Sequence, residues 1–456
     1  MRKLIEFQIL DQNAEKQNFD LSILMNNAGT NVANHIIDNY NNTKIVTIVC
    51  GNGNNGGDGY VVANILIEKG FQVNVLNSGL PKSSAANRAL SNLQCDIIPL
   101  DDLGKFKDSS DILLDCLLGS GIKGEIRSPL DEYISLMNGF SLIISVDVPS
   151  GFGTKHSIIP DKTLTFHDFK TNMNSKNSGE IILLDINFPA EIDSMTGPGE
   201  LLLYPVWNTS NRKGENGKVA IVGGGPFSGA PSLAALGSYR SGSDLVHVFV
   251  PENSYEAVSK FIPELIVHKL NGEQINPHNI EDLFNYDFDS VVIGPGMGKD
   301  SKSFAAVQIL IDNYDNVVID ADAINLYNFS SKNIVLTPHK GEIERLEIRP
   351  TEDAMNQFAL DNNITLVLKG ETDFITNGEY FKYNKTGHPR MAVGGTGDVL
   401  AGFLGTLLAK GLSGYEGGRL ACYSLGLAGE KSYDEIGSGF LPTDLAVSLS
   451  KVLKKS

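Results

Sequence analysis

The sequence predicts an α/β protein of two domains, each built around a mainly parallel sheet. Short β-branched runs alternate with helical segments, which is typical of βαβ units. The alternation stops once, in a polar segment rich in Asn and Gly at 200–217, and then resumes. The chain of 456 residues is also longer than a single core usually supports. We therefore expect two domains, at 1–205 and 206–456.

Apolar runs locate the strands of both domains. The first series is predicted at 43–50, 71–77, 111–118 and 141–148, with a helix at 58–70 that ends on Gly70. The second series is predicted at 218–225, 245–250, 289–296, 316–322, 333–338 and 364–370. Each run is followed by a polar or glycine-rich loop. Because ligands of open α/β sheets bind at the carboxyl ends of strands, these loops are the candidate sites.

Composition excludes several classes of protein. The net charge of -17 argues against a nucleic-acid partner, since phosphate affinity comes from clustered Lys and Arg. No apolar run has membrane-spanning length, and acids and amides interrupt residues 1–16, so neither a membrane span nor a signal peptide is predicted. We expect a cytoplasmic protein. No C-x-x-C spacing occurs, which favours buried, reduced thiols at Cys50, Cys95, Cys116 and Cys422.

The first glycine-rich loop, 51–59, has the G-x-G-x-x-G spacing of a dinucleotide fingerprint between a strand and a helix. That fingerprint also needs an acid at the end of the second strand, where this chain has Asn77. No G-K-[ST] follows, so the loop is not a P-loop either. Asn and Asp side chains crowd the loop instead, and they supply oxygen ligands and amide donors at a helix N-terminus.

Two other predicted strand ends carry similar side chains. Asp115 follows one strand, and Asp147 and Ser150 follow another. Together with Asn55, these oxygens could surround a cation. The alternative is that Asn55 and Asp58 only cap a turn. The residues alone leave both interpretations open.

Four motifs in this half resemble the YjeF N-terminal domain, the NAD(P)H-hydrate epimerase: LMNNAG (24–29), NGNNGGDG (52–59), the loop 115–124, and VDVPSG (146–151). Asn27 replaces the Glu usual in that family. The resemblance implies a Rossmann-like three-layer α/β/α fold and acid–base roles for Asp147 and Lys123. It implies potassium ligands at Asn55, Asp115 and Ser150. It implies contacts to the hydrated nicotinamide nucleotide from Asn54, Asn55, Gly56, Gly57, Asp58, Gly119, Ser120, Gly121, Ile122, Lys123, Gly124, Glu125 and Asp147.

A second glycine-rich turn opens the predicted helix within AVGGTGDVLAGFLG (392–405). Its backbone N–H groups form a candidate anion cradle, and Asp398 could accept a proton from a hydroxyl that attacks phosphorus. The alternative is that Asp398 only stabilises the helix dipole. The glycine density favours the functional interpretation, because small residues are needed where backbone approaches a ligand.

Further motifs in this half are GGGPFSGAPSLAA (223–235), GPGMG (294–298), DADAIN (320–325), TPHKGE (337–342) and LKGETD (368–373). With GGTGD they resemble the ribokinase-like YjeF C-terminal domain, the ADP- or ATP-dependent NAD(P)H-hydrate dehydratase. Lys340 stands where that family usually has Pro. The resemblance implies a ribokinase-like α/β fold and Mg²⁺ with ADP or ATP. It implies contacts to the hydrate from Ala230, Gly298, His339 and Asp398. It implies nucleotide contacts from Lys369, Gly370, Glu371, Thr372, Asp373 and Gly397.

The leading hypothesis is a bifunctional enzyme that epimerises the R and S hydrates of NADH and NADPH and dehydrates the S form. Its partners would be these small molecules, and the resemblance suggests a homo-oligomer. One alternative is a ribokinase-like small-molecule hydroxyl kinase with an accessory ligand-binding domain. Another is a nucleotide-binding regulatory or scaffold protein with inactive sites, against which the intact acids and glycines argue.

Overall fold

A computed structural model describes residues 1–121, 124–206, 208, 210–329 and 333–454. The chain divides into two compact units, Met1–Asp193 and Ser194–Ser456. This division lies on the N-terminal side of the boundary that the sequence predicts at 205–206. No helix among the described residues is both long and apolar enough to cross a bilayer.

The first unit contains strands and helices in alternation. Its helices are α1 (Leu4–Lys16), α2 (Leu21–Asn39), α3 (Asn54–Glu68), α4 (Ser84–Ser91), α5 (Leu130–Met137), α6 (Ser175–Ser178) and α7 (Ala190–Asp193). Its strands are β1 (Ile45–Cys50), β2 (Gln72–Asn77), β3 (Ile97–Pro99), β4 (Ile112–Cys116), β5 (Ile143–Val146), β6 (Lys162–Phe166) and β7 (Glu180–Leu184). A 3-10 helix follows β3, at Leu100–Phe106.

These strands form a sheet in the order β3-β2-β1-β4-β5-β6-β7, and every pairing is parallel. Apolar clusters cover both faces of the sheet. One joins Ile48 and Leu114 to α2 and α3, and the other joins Val49 and Leu113 to α5. The unit is therefore a three-layer α/β/α domain, as the sequence predicts. The four cysteines are free thiols, with Cys95 the least buried.

The second unit has the same alternation and a longer sheet. Its helices are α8 (Gly229–Arg240), α9 (Glu252–Ser259), α10 (Ser301–Asn313), α11 (Lys340–Ile343), α12 (Glu352–Asn362), α13 (Thr396–Ala409), α14 (Gly414–Ile436) and α15 (Pro442–Val452). Its strands are β8 (Lys218–Val222), β9 (Leu245–Pro251), β10 (Ile266–Leu270), β11 (Ser290–Ile293), β12 (Asn316–Ile319), β13 (Asn333–Leu336), β14 (Thr365–Leu368), β15 (Asp373–Thr376) and β16 (Phe381–Asn384). Its 3-10 helices are Pro198–Leu203, Asn279–Asn285, Ala321–Ala323, Glu344–Leu346, Pro389–Met391 and Gly437–Gly439.

The second sheet runs in the order β10-β9-β8-β11-β12-β13-β14-β15-β16. Pairings from β10 to β14 are parallel, whereas β15 pairs antiparallel with both of its neighbours. Helices α8 and α13 pack closely along one face, where Gly402 approaches the backbone of Ala234. The carboxyl ends of β8, β11, β12, β13 and β14 consequently lie along one edge of the sheet.

The segment 194–203 belongs to the folded second unit, and its residues 200–203, which the sequence assigns to the start of a linker at 200–217, lie in a 3-10 helix. Thr196 N donates to Tyr383 O at 2.8 Å, next to β16. The Glu200 carboxylate is fully buried and lies 3.2 Å from Lys382 Nζ and 3.5 Å from Arg419 Nε. Polar composition suggests exposure here, but this acid is neutralised by two buried cations of the second unit. The segment is therefore part of the second domain's core.

Candidate active sites

The glycine-rich segment at 51–59 contains the turn after β1 and the first turns of α3, and Gly51 lies beside the end of β4. A Cβ atom on Gly51 would lie 1.8 Å from the carbonyl oxygen of Leu117, so only glycine fits there. Helix α3 begins at Asn54, which leaves Asn55 and Asp58 buried in its first turns. Packing between neighbouring strand ends therefore accounts for this glycine, in place of the close approach of a pyrophosphate.

Three strand ends meet around Asn55, as the sequence predicts. Its Nδ2 donates to Leu118 O at 3.1 Å, and Ser150 Oγ lies 3.3 Å from the same carbonyl oxygen. Among the described residues, Asn55 Oδ1 is buried and has no hydrogen-bond partner. An oxygen of this kind is costly to bury unless something binds it.

Asp115 is completely buried at the end of β4. Its Oδ1 accepts from Ser150 Oγ at 2.5 Å, and its Oδ2 accepts from Ser145 Oγ and Ser150 N, each at 2.8 Å. Burial raises the pKa of Asp115, and hydrogen bonds from Ser150 and Ser145 counteract the rise. The carboxylate thus fixes Ser150 beside Asn55.

A cavity of about 400 Å³ opens above this network. Among its lining residues are Asn54, Asn55, Asp58, Gly119, Ser120, Gly121 and Asp147. Gly56 and Gly57 are buried behind the loop, and Gly124 and Glu125 line a smaller neighbouring recess. Ile122 and Lys123, two of the predicted substrate contacts, lie outside the described residues. The predicted substrate contacts that the structure describes thus lie at one edge of the sheet.

Asp147 follows β5 in a left-handed conformation, with φ 65°. Such a conformation is uncommon for a residue with a side chain and is often found at functional sites. Its Oδ1 lies 2.5 Å from Lys170 Nζ, and Lys170 is fully buried. Lys170 also donates to Thr165 Oγ1 at 2.7 Å and to Phe166 O at 2.9 Å. Sequence reasoning misses Lys170, since a single Lys after a strand forms no motif.

Two further carboxyl groups share this cavity. Burial, followed by the charge of Asp147, raises the pKa of Asp11 to about 7. The same two causes raise the pKa of Asp58 well above its ordinary range, with a smaller contribution from Asp11. Asp11 belongs to α1, which sequence reasoning does not connect to the site. The signal that could have found it is an acid on the apolar face of an amphipathic helix, beside Leu10.

In the second unit, Asp398 lies in the first turn of α13, directly after the GGTGD glycines. Gly395 precedes the helix with φ 104°, and a Cβ there would lie 2.5 Å from Leu233 Cδ1. Burial, followed by the charge of Asp320, raises the pKa of Asp398 to about 7. Asp398 is therefore a carboxyl group that changes protonation state near neutral pH.

Lys369, at the end of β14, lies in the same cluster. Its Nζ donates to Asp320 Oδ1 at 2.7 Å, and Thr337 Oγ1 donates to the same oxygen at 2.7 Å. Burial acts to lower the pKa of Lys369, but the charges of Asp320 and Glu342 outweigh it and raise that pKa. A Cβ on Gly397 would lie 3.3 Å from Lys369 Nζ, so this lysine lies against the turn that precedes Asp398.

The remaining predicted loops occupy the same edge. His339 N donates to Glu342 Oε2 at 2.9 Å, and Lys369 N donates to Pro338 O at 2.8 Å. Burial raises the pKa of Glu342, which the charge of Lys369 opposes. Gly298 N donates to Asp322 Oδ2 at 3.0 Å.

The turn 370–372 is exposed, whereas Asp373 accepts from Gly370 N at 3.0 Å and holds that turn from inside. Ala230 lies in the first turn of α8. The loop at 294–298 thus contacts Asp322 in the loop after β12, and the loops at 337–342 and 368–373 contact each other.

Both halves of the chain match family models. Residues 21–172 match the model described as YjeF-related protein N-terminus, and residues 219–451 match the NAD(P)H-hydrate dehydratase model. A bifunctional NAD(P)H-hydrate repair enzyme of Methanothermobacter thermautotrophicus is 33% identical, and the match covers 99% of this chain and 95% of the relative. The chain belongs to the bifunctional NAD(P)H-hydrate repair enzymes.

Other members of this family match over similar lengths. The repair enzyme of Archaeoglobus fulgidus is 33% identical over 98% of this chain and 97% of its own length. That of Coxiella burnetii is 31% identical over 92% of this chain and 93% of its own length. The chain therefore carries the epimerase and the dehydratase domains of the repair family in one polypeptide.

Solved structures match the ribokinase-like fold of the second domain. A hypothetic protein from Streptococcus mutans superposes with a TM-score of 0.51 at 25% identity, over 56% of this chain and 96% of its own. The ADP/ATP-dependent NAD(P)H-hydrate dehydratase from Bacillus subtilis, co-crystallised with ATP/Mg²⁺, superposes with a TM-score of 0.51 at 24% identity. The match covers 56% of this chain and 95% of the dehydratase. Within the described residues, no group of three or more His, Cys, Asp or Glu forms a metal site.

Proposed function

We propose that this repair enzyme interconverts the R and S hydrates of NADH and NADPH in its first domain and dehydrates the S form in its second. The second reaction consumes ADP or ATP. The observation that carries the proposal is that each domain places carboxyl groups of raised pKa at the carboxyl edge of its parallel sheet. These groups are Asp58 in one domain and Asp398 in the other.

In the first domain, epimerisation inverts the carbon that carries the added hydroxyl group, which requires proton transfer to and from the hydroxyl oxygen as the carbon–oxygen bond breaks and re-forms. Asp147 and Lys123 are the proposed acid–base pair, and geometry supports Asp147 because it lines the cavity. The ammonium group of Lys170 lies 2.5 Å from the side-chain oxygen Oδ1 of Asp147 and orients this group in the cavity. The loop 119–121 and residues 54–58 would hold the nucleotide around the reacting ring.

One observation supports a potassium ion in the first domain's site. Asn55 Oδ1 is buried without a hydrogen-bond partner among the described residues, beside the Ser150 hydroxyl group. Amide and hydroxyl oxygens suit a hard monovalent cation. Asn55, Asp115 and Ser150 would hold it, with Asp115 supplying negative charge and fixing Ser150. When bound, the ion would supply positive charge for the substrate's phosphate oxygens.

In the second domain, Asp398 would remove the proton from the substrate hydroxyl as that oxygen attacks the terminal phosphorus of the nucleotide and displaces AMP from ADP, or ADP from ATP. The phosphorylated oxygen would then leave the ring carbon with its bonding electrons, and the ring nitrogen's electron pair would form the replacement bond. Loss of a ring proton would restore the dihydronicotinamide. Thr396 Oγ1, in the turn before Asp398, is buried without a partner among the described residues, which supports an anion there.

The exposed turn 370–372 and Gly397 are the proposed nucleotide contacts. Mg²⁺ usually takes most of its ligands from phosphate oxygens and water, with only one or two carboxylates. The Asp320 and Asp322 carboxylates at this edge fit that requirement and would hold the ion. When bound, Mg²⁺ would neutralise charge on the phosphates. Ala230, Gly298 and His339 would contact the hydrate.

The test uses the purified full chain with separate R and S hydrates, each with ADP or ATP and Mg²⁺. We expect the S hydrate to yield reduced nicotinamide nucleotide and inorganic phosphate, and the R hydrate to do so after a lag for epimerisation. A stable phosphorylated product without phosphate release would indicate a kinase. Failure to regenerate reduced nucleotide with either ADP or ATP would refute the proposal.

A further inference from the structure

Helix α1 contributes a wall of the first domain's cavity although it precedes the residues that match the family model, 21–172. Phe7, Gln8, Leu10 and Asp11 all line the cavity. Gln8 Nε2 donates to Ser120 O at 2.9 Å, which fixes the helix to a proposed substrate loop. The position of Asp11 in the cavity is therefore set by packing and by a specific hydrogen bond.

The carboxyl groups in this cavity outnumber its described cations. Asp11, Asp58 and Asp147 line it together, and the one described lysine in contact with them, Lys170, is bound to Asp147. Among the described residues, no side chain donates a hydrogen bond to the carboxyl group of Asp11 or Asp58. Like charges in a confined site cannot all ionise cheaply, so such a cluster retains a proton.

We propose that Asp11 is a further catalytic acid–base residue of the epimerase reaction, exchanging a proton with the hydroxyl group of the hydrate. This inference rests on the proposed function of the first domain. Asp11 meets the structural requirements: it lines the cavity, its carboxyl group is open to a ligand, and its helix is fixed to the loop at Ser120. Its raised pKa, about 7, also matches a group that carries a proton at neutral pH.

The step balances without any further reactant. Protonated Asp11 gives its proton to the hydroxyl oxygen, the carbon–oxygen bond breaks, and water leaves. The electron pair of the ring nitrogen forms a carbon–nitrogen double bond, so the ring becomes a cation facing carboxylates. Water then adds to the opposite face, the electron pair returns to nitrogen, and the extra proton returns to a cavity carboxylate.

Several charged groups surround Asp11 and define the pH test. Asp58 faces it from α3, Asp147 and Lys170 from the loops after β5 and β6, and Glu15 from its own helix. His167 also lines the cavity. Because the acid form donates the proton, the epimerase rate should fall as pH rises through about 7, and removal of Asp11 should abolish that limb.

The experiment compares wild-type chain with Asp11→Asn, Asp11→Glu and the control Glu15→Gln, an exposed acid on the same helix. We expect Asp11→Asn to lower epimerase kcat by about 100-fold or more, with KM nearly unchanged and dehydration of the S hydrate intact. Its thermal midpoint should not fall, since an acid is removed from an acidic cluster. Asp11→Glu should retain more activity than Asp11→Asn. Glu15→Gln should keep the wild-type kcat at acidic pH, with its pH limb displaced slightly downward because Glu15 contributes to the raised pKa of Asp11.

If the wild-type chain epimerises the hydrates and Asp11→Asn has the same kcat and pH profile, the role of Asp11 is refuted while the proposed function stands. Equal losses in Asp11→Asn and Asp11→Glu would show that Asp11 has a structural role, which also overturns it. If the wild-type chain epimerises neither hydrate, the proposed function itself fails.

Discussion

Lys170 Nζ lies 2.5 Å from Asp147 Oδ1, and the lysine is fully buried behind the cavity of the first domain. Its other two hydrogen bonds go to Thr165 Oγ1 and Phe166 O. All three ammonium protons are thus used, which fixes the lysine. The pair holds a residue of left-handed backbone conformation in place at the proposed catalytic position.

Replacing Lys170 by Met should remove this restraint and leave the Asp147 carboxylate without its cation. Breaking a buried ion pair from one side typically costs about 3–5 kcal/mol, and partial exposure of Asp147 places the expected loss at or below the lower end. We expect epimerase kcat to fall while dehydration persists. Thermal unfolding measures the loss of stability, and separate epimerase and dehydratase assays measure the two activities. The control is Lys176→Met, because Lys176 is exposed on α6. Equal behaviour of the two variants would contradict the prediction.

Asp398→Asn should abolish dehydration and leave epimerisation intact, because the two carboxyl clusters belong to different domains. In the wild-type chain the base form of Asp398 is required, so the dehydration rate should fall as pH drops below about 7. Initial rates across pH, with S hydrate and R hydrate separately, test both statements. Loss of epimerisation in this variant would argue against separate sites.

The same carboxyl group should affect stability with a definite sign. The folded protein holds a proton on Asp398 between the ordinary carboxyl pKa of 3.8 and about 7, where the unfolded chain has lost it. The free energy of unfolding therefore falls as pH rises through this interval. Asp398→Asn should reduce that slope and make the second domain more stable at neutral pH. Calorimetric scans at acidic and neutral pH would reveal the difference, and parallel curves would refute it.

Asn55→Leu should weaken the binding of potassium at the epimerase site. The substitution removes the unpartnered Oδ1 while keeping a side chain of similar size. We expect the potassium concentration that gives half-maximal epimerase activity to rise by about tenfold or more, which corresponds to loss of one favourable oxygen ligand. Dehydration of the S hydrate supplies the internal control. Epimerase activity that does not respond to potassium in the wild-type chain would exclude the site.

Gly51→Ala should destabilise the first domain, whereas Gly53→Ala should be tolerated. The new Cβ would lie 1.8 Å from Leu117 O in the first variant but would meet nothing within 4 Å in the second. The clash is with backbone, so the strand ends must separate, at a cost of about 1–3 kcal/mol or more. Chemical denaturation of the two variants measures the contrast. Equal stability would mean that the β1–α3 connection adapts.

Much of the fold and part of each site can be predicted from the sequence, for identifiable reasons. Parallel strands buried on both faces are near-continuous apolar runs, and polar side chains at their ends must share an edge. This rule is sufficient to place Asn55, Asp115 and Ser150 close together. The glycine motif at 51–59 is less transparent, because the same spacing satisfies strand packing as well as phosphate binding.

Asp11 and Lys170 could not be predicted in this way. Each is a single polar residue whose charged neighbour Asp147 lies on another element of the fold, so no motif spacing marks it. The burial of Glu200 is equally hard to predict, since an acid in a polar segment normally indicates exposure. Long-range pairing of charges is decided by tertiary packing, and periodicity contains no information about it.

The buried Glu200 carboxylate has a practical consequence for dissecting the enzyme. A recombinant fragment beginning at 206 or 218 would lack this acid and would leave Lys382 and Arg419 without their shared buried carboxylate. Such a fragment would be prone to misfolding even though it contains the complete sheet and Asp398. An independently folding dehydratase should instead begin at Ser194, where the second unit starts.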